Sequence, residues 1–207
     1  MDFQHPLRVA TPTLDGEVLA ALAGAEEIFT GRRLHQVVGH GSEPGIRRAA
    51  ERLVDQGVVS RRQVGRAKVY WLNREHLAAP YLEGLAFMRQ ELIGRLRGSV
   101  ASWKSVPRFA FLFGSAARGE ASTQSDLDLL VIRGRNMDED DPDWRDQIAQ
   151  LERDATAWTG NEARILEYGE GELSDALVRK VIEEVVAEGV ELYGSRHELR
   201  AALGSDA

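Results

Sequence analysis

Residues 111–132 read FLFGSAARGEASTQSDLDLLVI, two apolar runs separated by a turn of small residues. The first run, RFAFLFG with its preceding residues, is too uniformly apolar to leave one face in water, so it predicts a strand buried on both faces. The second, DLDLLVI, predicts another. Gly114 and Ser115 follow the first strand directly and open a short helix, and Asp126-Leu127-Asp128 opens the second strand. Side chains two apart in a strand point the same way. Asp126 and Asp128 therefore converge while Leu127 turns to the core. Two carboxylates side by side repel unless a cation lies between them. Oxygen ligands without His or Cys favour Mg²⁺ or Mn²⁺. A glycine at the strand end lets backbone approach closely, and free N–H groups at a helix start attract phosphate oxygens.

Outward from this stretch, the helix and strand signals continue to the C-terminal side. The acidic segment NMDEDDPD leads into a helix with Pro142 near its start, whose inner face carries Trp144, Ile148, Leu151, Ala155 and Trp158. TGNEARILEY predicts a third strand. A last helix from about Ser174 to Glu188 presents Leu177, Val181 and Val185, and VELYG closes the domain.

On the N-terminal side, residues 14–24, 31–39 and 42–56 predict three helices, with Thr30 and Ser42 as N-caps and Pro44 near a helix start. VVSRRQVGRAKVYWL then folds back around Val64-Gly65-Arg66 as a hairpin. Three helices followed by a basic hairpin is the order of a winged helix-turn-helix. Between the halves, Leu77, Tyr81, Leu85, Met88, Leu92 and Leu96 recur in steps of three and four, predicting one long amphipathic helix. The expected division is 13–75 for the winged helix, 76–98 for the connecting helix and 105–195 for the second domain. The connecting helix is also an expected homodimer seam.

Composition limits the alternatives. Cysteine is absent, which excludes disulfides, zinc–thiolate sites and a thiol nucleophile. No apolar run spans a bilayer and no leader pattern opens the chain, so a cytoplasmic protein without membrane contact is expected. The net charge of −7 is uneven: residues 26–75 carry 10 Lys and Arg against 6 Asp and Glu. A basic module in front of an acidic one suggests a polyanion partner for the first. In the winged-helix reading, Arg47 and Arg48 sit on the recognition helix. Arg61, Arg62, Arg66 and Lys68 sit on the hairpin, and Arg32 and Arg33 flank them, all suited to duplex DNA. His35 and His40 have no His or acid at ligand spacing and read as structural.

The 109–132 segment resembles the signature of the DNA polymerase β-like nucleotidyltransferases, in particular their minimal bacterial and archaeal members. The resemblance implies an α+β fold, with a small mixed sheet and flanking helices behind the winged helix. It also implies transfer of a nucleoside monophosphate from an NTP such as ATP to an acceptor hydroxyl on a protein or RNA. Carried over, Asp126 and Asp128 bind two metal ions, Gly114 and Ser115 hold the β/γ-phosphates, and Arg118 adds a phosphate contact. The family's third acid falls on Arg164, leaving Glu162, two residues earlier, as the substitute catalytic carboxylate. The alternative is a DNA-binding regulator, or an antitoxin-like protein, whose transferase domain only binds nucleotide.

Overall fold

The computed structural model describes residues 1–204 and divides into two compact units. One is His5–Met88; the other joins Met1–Gln4 to the chain from Arg89 onward.

The His5–Met88 unit opens with a 3₁₀ turn, Pro6–Val9, and continues with α1 (Leu14–Ala23), β1 (Phe29–Thr30), α2 (Gly31–Val38) and α3 (Glu43–Asp55). The hairpin β2 (Val59–Val64) and β3 (Ala67–Leu72) follows, and then α4 (Ala79–Ala86). The Thr30 and Ser42 hydroxyls accept from the Arg33 and Gly45 amides at 3.2 Å, so both expected caps form. Gly65 turns the hairpin at φ +58°, a conformation that a Cβ disfavours. The strands form one antiparallel sheet in the order β1-β3-β2. Its core combines Val18 and Leu22 of α1, Leu34 of α2, Ile46, Ala50 and Leu53 of α3, and Phe29, Tyr70 and Leu72 of the sheet.

The expected connecting helix is two helices. Phe87 leaves helical geometry at φ −102° and ψ 19°, separating α4 from α5 (Met88–Ala101). The apolar stripe divides accordingly. Leu82 and Leu85 pack on the first unit's core, whereas Leu92, Ile93, Leu96 and Val100 enter the second unit's core. Leu77 and Tyr81 stay largely exposed. Steps of three and four run unbroken through Phe87, so periodicity alone carried no sign of the break. Leu92 and Leu96, two of the six residues of the expected dimer seam, are already buried within their own unit.

The second unit continues with β4 (Phe109–Phe113), α6 (Gly114–Arg118), β5 (Leu127–Arg133), α7 (Pro142–Thr159) and β6 (Ala163–Gly169). A 3₁₀ turn, Glu170–Ser174, leads to α8 (Ala176–Glu188), β7 (Val190–Tyr193) and α9 (Arg196–Gly204). The mixed sheet has the order β6-β5-β4-β7, with β5 parallel to β6 and β4 antiparallel to both of its neighbours. All of β4 is buried because its alternate side chains enter different cores. Ala110 and Leu112 join Leu129, Val131, Trp144, Ile148 and Leu151 on the α5/α7 side. Phe109, Phe111 and Phe113 join Leu130, Ile132, Ile182 and Val185 on the α8 side. Trp103 meets Trp144 edge to face at 5.4 Å, a geometry worth about 0.5–1.5 kcal/mol beyond burial. The face of α8 differs from expectation by one position: Val178, Ile182, Val185 and Val186 point inward, and Leu177 is 80% exposed. A run rich in apolar residues allows two helical faces, and Asp175 fixes the choice by capping the first turn through the Leu177 and Val178 amides. No helix among the described residues is long and apolar enough to cross a membrane.

Candidate active site

The end of the β4–β5 pair is where the sequence places its chemistry. Phe113 pairs with Asp128 across the antiparallel ladder, which sets Gly114 beside the Asp128 carboxylate. Gly114 has φ +67°, and a Cβ built there would lie 2.7 Å from Asp128 Oδ2. Only glycine satisfies both constraints. Gly114→Ala is expected to cost about 1–2 kcal/mol from the left-handed backbone alone, and more from the collision. A urea melt with an unchanged midpoint would show that the turn is not so constrained.

Ser115 follows in α6, a helix of five residues, and its hydroxyl has no hydrogen-bond partner among the described residues. Arg89, which the sequence did not single out, donates from Nε to the Ala116 carbonyl at 3.0 Å and from Nη2 to that of Ala117. It thereby fixes the far end of the helix. Arg118, expected on phosphate, is bound by Glu120 at 2.7 Å and by Glu188.

Asp126 ends a loop that is pinned from below. Asn161, 5% exposed, donates to the Ser122 and Ser125 carbonyls at 2.8 and 2.5 Å. The Leu127 amide donates to the Glu162 carbonyl at 2.8 Å, which begins the β5–β6 pairing. Sequence reading missed Asn161 as well; its only local sign is its place between the glycine closing α7 and the next strand.

The parallel register sets Arg164 opposite Asp128. Its Nη1 lies 2.7 Å from Asp126 Oδ2, and its Nη2 lies 3.6 Å from Glu162 Oε2. Asp126 thus has a fixed cationic partner 38 positions away along the chain, a pairing that local sequence could not reveal. Glu162 turns toward Arg164. Among the described residues, no third acidic or imidazole group brings a ligand atom within 4.8 Å of those of both Asp126 and Asp128. Glu167 is elsewhere, accepting from Trp144 Nε1 at 2.9 Å and pairing with Arg133 and Arg145.

Burial pushes the Asp128 carboxyl above the usual carboxylate range, and the charges of Asp126 and Glu184 push it the same way, against Arg164. A half-buried carboxylate that repels its neighbour is relieved by a hard cation, so the Asp126–Asp128 pair fits one divalent ion of the Mg²⁺ type. Glu184 of α8 was not expected from the sequence.

In the His5–Met88 unit, the basic residues fall into two groups. Glu51 of α3 accepts from Lys68 Nζ at 2.8 Å and from the Tyr70 hydroxyl at 2.7 Å, and it also pairs with Arg61. These contacts hold the Glu51 carboxyl low despite the opposing effect of its burial. The Tyr70 phenol is pushed up to about 12, first by burial and then by the bonded Glu51. Arg33 and Arg47 face Glu27 and Glu43 at 3.9 and 3.8 Å. The side chains of Arg32, Arg48, Arg62 and Arg66 have neither an ion pair nor a hydrogen bond among the described residues.

No curated protein matches this chain. Among solved structures, it is similar to one described as a toxin-antitoxin with AMP-PNP, at 18% identity over 56% of this chain and 81% of that one, with a TM-score of 0.37. It is also similar to a mutant of the toxin-antitoxin MntA-HpeT, at 14% identity over 54% of this chain and 81% of that one, with a TM-score of 0.40. The family model described as "Polymerase beta, Nucleotidyltransferase" matches residues 99–198, the segment that holds β4 to β7 and both aspartates.

Proposed function

We propose that the second unit is a Mg²⁺-dependent nucleotidyltransferase that moves a nucleoside monophosphate from an NTP to an acceptor hydroxyl. The observation that carries this reading is the fit of Gly114 against the Asp128 carboxylate, which leaves no room for a side chain between the turn and the acid pair. Asp126 and Asp128 hold the cation, and the open Ser115 hydroxyl serves the β/γ end of the triphosphate. The bound ion supplies charge neutralisation for the triphosphate. Arg164 adds a permanent positive charge on the same face, which favours one divalent ion over two. Incubation with Mg²⁺, labelled NTPs and cell lysate tests the reading; label on no protein or RNA acceptor sinks the transferase assignment. Ser115→Ala is expected to weaken triphosphate binding more than monophosphate binding, by up to about 1.5–3 kcal/mol for one charged hydrogen bond. Equal losses for both ligands would place the serine elsewhere.

The same Arg164 favours a second reading, a DNA-binding regulator or antitoxin-like protein whose nucleotide site senses without transferring. Arg164 stands at the position expected of the acid that deprotonates the acceptor, and Glu162, the substitute, faces its guanidinium at 3.6 Å. In both readings, α1 to α3 with the β2–β3 hairpin act as a winged helix-turn-helix on duplex DNA. Arg32, Arg48, Arg62 and Arg66 are its phosphate contacts, because their charges are not already spent on Glu or Asp. Arg62→Glu with Arg66→Glu should lower DNA affinity and flatten its dependence on salt, since each lost phosphate contact releases about one counterion fewer. Arg61→Glu should instead disturb the Glu51 cluster. Binding indifferent to salt, or unchanged in the double variant, would favour a protein partner for this unit.

A further inference from the structure

The His5–Met88 unit gathers a second set of ligand-type side chains, well separated from the aspartate pair in sequence. His5 precedes the 3₁₀ turn, Glu17 lies in the first half of α1, and His40 stands in the turn between α2 and α3. One ligand atom from each lies within 4.8 Å of the other two. Read from the sequence alone, His40 had no acid or imidazole for company; the fold brings both.

The turn that delivers His40 is specific. Gly39 and Gly41 flank it at φ +75° and +76°, and His35 Nε2 bonds the Gly41 carbonyl at 3.1 Å. His40 Nε2 stands 3.5 Å from Glu17 Oε1, and the His5 and His40 rings lie 5.8 Å apart, tilted by 60°. A separation of 3.5 Å is long for a hydrogen bond. It matches the edge between two ligands around a tetrahedral ion, about 3.3–3.6 Å for metal–ligand bonds of 2.0–2.2 Å. Glu17 is 9% exposed, and a buried carboxylate needs positive charge nearby. Arg8 supplies one such charge, with its Nε 2.8 Å from Glu17 Oε1. Two imidazoles, which are borderline donors, beside one carboxylate suit a first-row transition dication rather than Mg²⁺.

We propose that His5, Glu17 and His40 form a three-ligand site for such a dication, of which Zn²⁺ is representative, with water completing the coordination. The ion would tie the N-terminal arm to α1 and to the turn that leads into α3. Arg8 is a competitor for Glu17 and not a ligand.

The test uses the full chain, stripped by chelator, with Asp126→Asn and Asp128→Asn in the background so that the acid pair takes up no metal. Zn²⁺ is followed by calorimetry and Co²⁺ by its visible absorption. One equivalent should bind, the Co²⁺ bands should show a low-coordinate site with nitrogen donors, and thermal stability should rise. His5→Gln and His40→Gln should each weaken binding by at least about tenfold, whereas Arg8→Ala should leave it equal or tighter. The absence of saturable binding, or binding unchanged in both His variants, overturns the proposal. If His40→Gln unfolds, His5→Gln decides alone, because His5 lies outside the apolar core.

Discussion

A chain carrying both Asp126→Asn and Asp128→Asn is expected to lose Mg²⁺-dependent binding of nucleoside triphosphate and to keep its fold. The two side chains sit at the mouth of a strand whose core residues, Leu127, Leu129 and Leu130, are untouched by the change. Without a cation, Asp128 is a liability: burial and the Asp126 charge raise its folded pKa above the unfolded value. For an acid shifted in that direction, the stability contribution is present below the unfolded pKa and is lost as pH rises through the folded one. At neutral pH, the amides remove that penalty. The double variant should therefore melt at or above the parent temperature in EDTA while showing no metal-linked gain. Calorimetry with and without EDTA checks the binding. Triphosphate affinity that is the same in EDTA, or in the double variant, would mean that the aspartates are not the site.

Arg164→Asp is expected to tighten Mg²⁺ binding by about tenfold or more, for which only 1.4 kcal/mol is required. The change alters the charge facing the aspartates by two units. At an effective dielectric near 20, even one charge at 4 Å interacts with another by about 4 kcal/mol. The side chains of Arg164 and Asp126 are 57% and 36% exposed, so loss of their ion pair should cost stability little, about 0–1 kcal/mol. Under the transferase reading, the variant should also gain product in the labelled-NTP assay, because an acid then faces Asp128 across the parallel ladder. Under the sensing reading, metal affinity rises and turnover stays absent. Unchanged Mg²⁺ affinity would remove Arg164 from the electrostatics of the site.

The parts of this architecture legible in the sequence were those written locally. The double burial of β4, the caps at Thr30 and Ser42, and the Gly114–Ser115 turn ahead of Asp126 each follow from a few adjacent residues. Contacts across the fold were not legible. Asp126 beside Arg164, Glu188 beside Arg118 and Glu51 beside Lys68 come from distant parts of the chain, and a solvated cation and a paired one look alike in a string. The inner face of α8 was misplaced by one residue because Leu177 and Val178 satisfy the same pattern. The break at Phe87 was missed because both of its flanking helices are apolar at the same spacing, although their leucines serve different cores.

The cluster at Glu51 has a mechanical consequence. One carboxylate on α3 grips Arg61 on β2 and both Lys68 and Tyr70 on β3, so the hairpin is latched to the helix along both strands. A latch at two strands removes the hinge that a two-stranded ribbon would otherwise have at its root. Helix and hairpin then act as a calliper of fixed jaw width, with Arg48 on one jaw and Arg62 on the other. Under the duplex-DNA reading, such a tool would measure the spacing of the phosphates it closes on. Opening it requires breaking the Glu51 contacts to both strands before any new ones form.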